Sequence, residues 1–115
     1  MKGISVAAKV YQLEHGHNLT GVLVHGNEQQ SFRYGLVSNT RLKTTYVHGL
    51  EGGASAVVIE TVHPIAPEVG DKIQLCDGKN GRVAEISVAL LDDVQLRFVT
   101  YEKADKIRQI TVRFI

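Results

Sequence analysis

Five histidines, a single cysteine and a scatter of carboxylates are the reactive side chains of this 115-residue sequence. His15-Gly16-His17 sets two imidazoles close together, and His25, His48 or His63 would have to complete a zinc or nickel site. Such a site needs further ligands at a workable spacing, and none is recognisable; a polar turn that happens to contain histidines accounts for the same residues. Cys76 would need a lowered pKa and a nearby base to act as a nucleophile, whereas its neighbour Asp77 pushes a thiol the other way. Ser31, Ser38 and Ser87 lie outside any nucleophile-elbow pattern. Asp71, Asp77, Asp92 and Asp93 fall where turns are expected, because an Asp carboxylate accepts from local backbone amides. Gly49-Leu50-Glu51-Gly52-Gly53 lacks the Gly-Lys-Ser/Thr ending that grips a phosphate, so it reads as an exposed loop. No pattern here supports an enzyme, a metal site or a cofactor.

Arg33, Tyr34, Arg41, Lys43 and Tyr46 bring bases and aromatic rings together, the raw material of base stacking and phosphate contact. The formal net charge of +1 argues against a strong sequence-independent grip on nucleic acid. Residues 1–50 carry five bases against two acids and residues 51–115 carry eight against ten, a mild split of +3 against −2. The lone Cys76 excludes an internal disulfide and suits a reducing compartment. The N-terminal residues lack the apolar stretch of a secretory signal, and no run approaches a membrane span. These features predict a soluble chain made and kept in the cytoplasm, with no membrane contact.

At this length the chain is one domain, residues 1–115, able to bury roughly two thirds of its extended surface without disulfides. Its dominant period is two, the period of strands. Ile4, Val6, Ala8 and Val10 alternate with Ser5, Ala7, Lys9 and Tyr11, which predicts a first strand over 3–13, followed by a polar turn at 14–18. Residues 19–25 and 31–37 predict a hairpin about Gly26-Asn27-Glu28, and 41–48 a half-exposed strand. Residues 54–62, apolar and β-branched, belong near a sheet centre, and a turn containing Pro64 and Pro67 follows. Residues 72–75, 82–90 and 94–101, with short connectors between them, predict an antiparallel meander. Residues 102–108 suggest one helical turn before a last strand bearing Ile110, Val112 and Phe114. The sum is an all-β, mostly antiparallel fold, a small barrel or sandwich with long loops and at most one short helix.

Residues 54–86, ASAVVIETVHPIAPEVGDKIQLCDGKNGRVAEI, are the most informative stretch. An apolar strand leads through a Pro-containing turn into Val69-Gly70-Asp71-Lys72-Ile73, then a Gly78-Lys79 turn, then a return strand with Val83 and Ile86. Ile73, Leu75, Val83 and Ile86 should meet in the core, with Gly78 at the tight turn. That order resembles the small minor capsid and head-tail connector proteins of tailed bacteriophages, of the head-closure or stopper type. The resemblance implies a structural protein of the virion neck: a homo-oligomeric ring below the portal or its adaptor that joins head to tail proteins and helps retain packaged DNA. It further implies assembly in the host cytoplasm and then residence in the virion. Exposure, not the family, selects the expected subunit contacts: Gly49, Leu50, Glu51, Gly52 and Gly53 in the loop, His15 and His17 in the polar turn, and Phe114 and Ile115 on a terminal strand with an open edge. The competing reading is a small OB-like or SH3-like barrel that binds nucleic acid or another ligand through Arg33, Tyr34, Arg41, Lys43 and Tyr46.

Overall fold

Where alternation predicts a strand, the chain begins with a helix. The computed structural model describes residues 4–37, 56–91 and 104–114, and its first element is α1, Val6–Glu14. Ser5 caps it, its hydroxyl accepting from the Ala8 amide at 3.1 Å. The far end closes as a Schellman turn: His17 N–H donates to the Gln12 carbonyl, and Gly16 between them takes φ +66°. Between the caps, Ala7, Ala8, Lys9, Gln12, Leu13 and Glu14 are good helix formers, and they outweigh the short alternation of valines. The burial is inverted for a surface helix. Ala8 and Gln12, one turn apart, are buried, while Val6 and Leu13 are 78% and 81% exposed and Val10 is exposed with them.

Among the described residues six strands follow: β1 (Leu19–His25), β2 (Glu28–Leu36), β3 (Ala56–Thr61), β4 (Lys72–Gln74), β5 (Asn80–Leu90) and β6 (Lys106–Phe114). They close into a barrel in the order β1-β2-β3-β6-β5-β4, with every neighbouring pair antiparallel. Of the two expected forms, a small barrel or a sandwich, the described residues form the barrel, mostly antiparallel and with one short helix. The β1–β2 hairpin turns on Gly26-Asn27, and Gly26 supplies the positive φ that such a turn needs. β4 and β5 form the second hairpin, in which Gly78 takes φ +88°.

Alternation then sorts the side chains. Leu23, Phe32, Tyr34, Ile59, Ile73, Val83, Ile110 and Val112 fill the interior. Val83 and Ile86 both face it although three positions separate them, because a bulge between Val83 and Glu85 shifts the register by one residue. The connection from β3 to β4 crosses one end of the barrel, and Ile65, set between Pro64 and Pro67, is buried in the core.

Residues 106–108 are strand, not the expected helical turn. Leu90↔Lys106 through Val88↔Arg108 pair across β5 and β6, and pairing overrides the helical preference of a Lys- and Arg-rich segment. β6 runs between β3 and β5, paired on both sides along Arg108–Arg113, so most of its length has no open edge for strand addition. The expected strands at 41–48 and 94–101 lie outside the described residues. No helix of the described residues is long and apolar enough to cross a membrane.

Candidate functional site

The outer wall of the barrel carries a row of residues that the in-and-out alternation makes polar. Gly35 on β2, Glu60 on β3 and Gln109 on β6 are successive register partners. Glu60 faces outward because Ile59 and Thr61 on either side are turned in and wholly buried. The Schellman turn after α1 drops His17 onto this row. A Cβ at position 35 would lie 2.6 Å from the imidazole Cδ2, so the missing side chain of Gly35 is the niche His17 occupies. There His17 Nε2 stands 3.0 Å from Glu60 Oε1, and Gln109 Nε2 donates to the other carboxylate oxygen at 3.3 Å.

Tyr11 completes the cluster from α1. Its ring stacks on His15 at 3.8 Å between centroids and meets His17 edge-on at 5.5 Å. Burial, with the Glu60 carboxylate beside the phenol and accepting its hydrogen bond, pushes the Tyr11 pKa up to about 12. A carboxylate-paired imidazole is a unit of acid–base catalysis. Here the remaining ring nitrogen of His17 is sealed from solvent, and the pair fastens the α1 turn to the barrel wall.

Beside the cluster a cleft of about 400 Å³ runs between α1 and the barrel. Ile4 and Leu13 give it an apolar side, Lys9 and Arg33 contribute two cations, and Gln12, His17 and His63 supply polar nitrogens. Among the described residues no carboxylate lines it. Among the described residues, the buried side-chain nitrogens and oxygens without a hydrogen-bond partner are Gln12 Nε2, His17 Nδ1 and His63 Nδ1, and all three belong to this lining. Burial holds the His63 pKa below its ordinary value, which keeps that ring neutral. An unpartnered buried polar group costs about 1–3 kcal/mol, so the polarity of the structure is least satisfied here.

No family model, curated protein or solved structure matches the chain.

The residues singled out from sequence fare differently. His15 is exposed, as expected of a turn. His17 is not: it is 1% exposed, because the turn folds back onto Gly35, so it offers no free surface to a neighbouring subunit. Tyr34 is a core residue, its ring packed 5.8 Å from Phe32 and its hydroxyl accepting from the Cys76 amide at 3.1 Å. It cannot stack on a base, since Phe32 and Tyr34 share the inner face of β2 and only Arg33 between them faces out. Phe114 is half-buried, with the Lys79 ammonium 5.7 Å from its ring centroid. Arg41, Lys43, Tyr46, Gly49, Leu50, Glu51, Gly52, Gly53 and Ile115 lie outside the described residues.

Asp71 and Asp77 play the expected turn roles. Asp77 accepts from the Lys79 amide, and Asp71 accepts from the Glu68 amide and from His25 Nδ1 at 2.8 Å. No group of three His, Cys, Asp or Glu among the described residues is placed to hold a metal ion. Sequence reasoning missed Tyr11, Gln12 and Glu60 as members of one site. The available signals were Ser5 and Gly16 as helix caps, and Glu60 as a lone charge within an apolar strand.

Proposed function

We propose that the chain is an assembly protein, and that its assembly is the neck of a tailed-phage virion, where it forms a homo-oligomeric ring below the portal or adaptor, joins head to tail and helps retain packaged DNA. The observation that carries the assembly reading is the inverted helix. Val6, Val10 and Leu13 recur at helical spacing on the outward face of α1, an apolar stripe of the kind that a partner surface covers. The phage assignment rests on the resemblance over residues 54–86. Its expected features sit together in the second hairpin, with Ile73, Leu75 and Val83 buried and Ile86 packed against them.

The test has two parts. Light scattering on the full chain at rising concentration, alone and with a portal–adaptor complex, is expected to show a ring. Replacing Val6 and Leu13 by Ser is expected to return it to monomer without loss of the fold. Purified virions should contain the chain at many copies per particle; its absence from them sinks the neck assignment, and a chain that stays monomeric in both settings sinks assembly.

A further inference from the structure

We propose that the cleft between α1 and the barrel wall binds a carboxylate carried on an apolar body, with Arg33 and Lys9 taking the charge and Ile4 and Leu13 the body. This goes beyond the assembly reading and stands without it.

Three features of the cleft converge on that chemistry. Among the described residues its charge is one-sided: two cations line it and no carboxylate does. Its unpartnered polar groups include a strict donor, since a Gln Nε2 can only donate, and Gln12 Nε2 has nothing to donate to. A neutral His63 can present its unpartnered Nδ1 as a further donor in the tautomer that carries the proton there. Both requirements are met by an oxygen acceptor, and a carboxylate offers two oxygens within reach of charged and neutral donors at once. Asn18 adds one more polar group, while Ile4 and Leu13, the latter 81% exposed, give the lining an apolar side, so part of the occupant must be apolar too. A polyphosphate or bare anion would leave that surface against charge. The volume falls within the range of small-ligand clefts, roughly 300–1,000 Å³. Lys9 and Leu13, which line the cleft beside the buried nitrogens, are both exposed, so their side chains are free to move aside as an occupant enters.

The same chemistry can arrive as a free medium-chain carboxylate or as an acidic and apolar segment of a partner protein. The full-length chain, labelled with ¹⁵N, is titrated with octanoate, with octylammonium, with inorganic phosphate, and with an acetylated peptide of alternating Leu and Glu. Octanoate or the peptide is expected to shift the amides of Lys9, Gln12, Leu13 and Arg33 and the imidazoles of His17 and His63, and to saturate. The single substitution Arg33→Gln, on an exposed strand position, is expected to weaken binding about tenfold. Octanoate binding that the peptide does not displace assigns the cleft to a free carboxylate, whereas peptide binding that octanoate displaces places the occupant on a partner. Equal shifts from octylammonium or phosphate, saturation unaffected by Arg33→Gln, or no localised response to either octanoate or the peptide overturns the proposal.

Discussion

The interior of the barrel and the seam under α1 are built on opposite terms. Inside, Ile59, Ile73, Ile110 and Val112 are wholly buried against one another, and closure leaves the wall strands paired around the ring. Under α1 the apolar burial is small, chiefly Ala8, and the side-chain contacts that fasten it are polar, an exposed one among them. Ser5 donates to Asp105 at 2.5 Å at one end, His17 meets Glu60 at the other, and Gln12 lies between them without a partner. Apolar burial is nondirectional and accumulates with area. A polar seam depends on a few bonds whose net value is about 1 kcal/mol each. The barrel should therefore behave as one cooperative unit, and α1 as an element that can leave it.

The largest break in that contrast comes from the interior. Ile110→Ala is expected to cost about 2–5 kcal/mol, read as a lowered denaturation midpoint with hydrogen exchange accelerated in all six strands together. At the seam, Gly35→Ala places a methyl where the His17 ring lies, and is expected to cost about 1–3 kcal/mol. Its exchange signature should differ: faster exchange in Val6–Glu14 while β3 and β6 keep their protection. If both variants opened the whole molecule alike, the contrast would be lost. A smaller effect, about 1 kcal/mol, is expected from Ser5→Ala, which removes both the helix cap and the bond to Asp105; circular dichroism during denaturation should show α1 fraying first.

The smallest effect is a pH dependence of opposite sign at two histidines. The hydrogen bond to Asp71 raises the His25 pKa above 6.5. Its contribution to stability is thus complete below 6.5 and fades as pH rises through the folded value. His63 is held low by burial. At high pH the ring is neutral in both states and stability does not vary with pH, but it falls as pH drops from 6.5 toward the folded value, because the unfolded ring takes up a proton first. Imidazole titration by NMR should place His25 above and His63 below the ordinary range. Asp71→Asn should return His25 alone to that range.

How legible each region was follows from the same difference. The hairpins could be read because period two, Gly26 and Gly78 all point to one answer, and because Phe32, Ile73, Val83 and Ile110 must face somewhere dry. α1 could not be read from its hydrophobic pattern, since the usual apolar-inward rule is broken there: Gln12 goes in and Leu13 out. Tyr34 was misassigned by grouping it with its basic neighbour Arg33, although strand parity puts the two on opposite faces. The His17–Glu60 pair spans 43 positions of sequence, and only the folding back of the turn onto Gly35 brings it about. At residues 106–108 local helical preference gave the wrong answer because the decisive partner, β5, is remote in sequence.

The place of β6 between β3 and β5 has a consequence for synthesis. A ribosome releases β1 to β5 first, and these can pair as one open sheet in the order β3-β2-β1-β4-β5, because β1 joins the two hairpins. β3 and β5 are then its two unpaired edges, the apolar inner face stays open to water, and closure must wait for the last described strand. Loss of Lys106–Phe114 would then leave an open sheet with two edges exposed to misassociation rather than a shortened barrel.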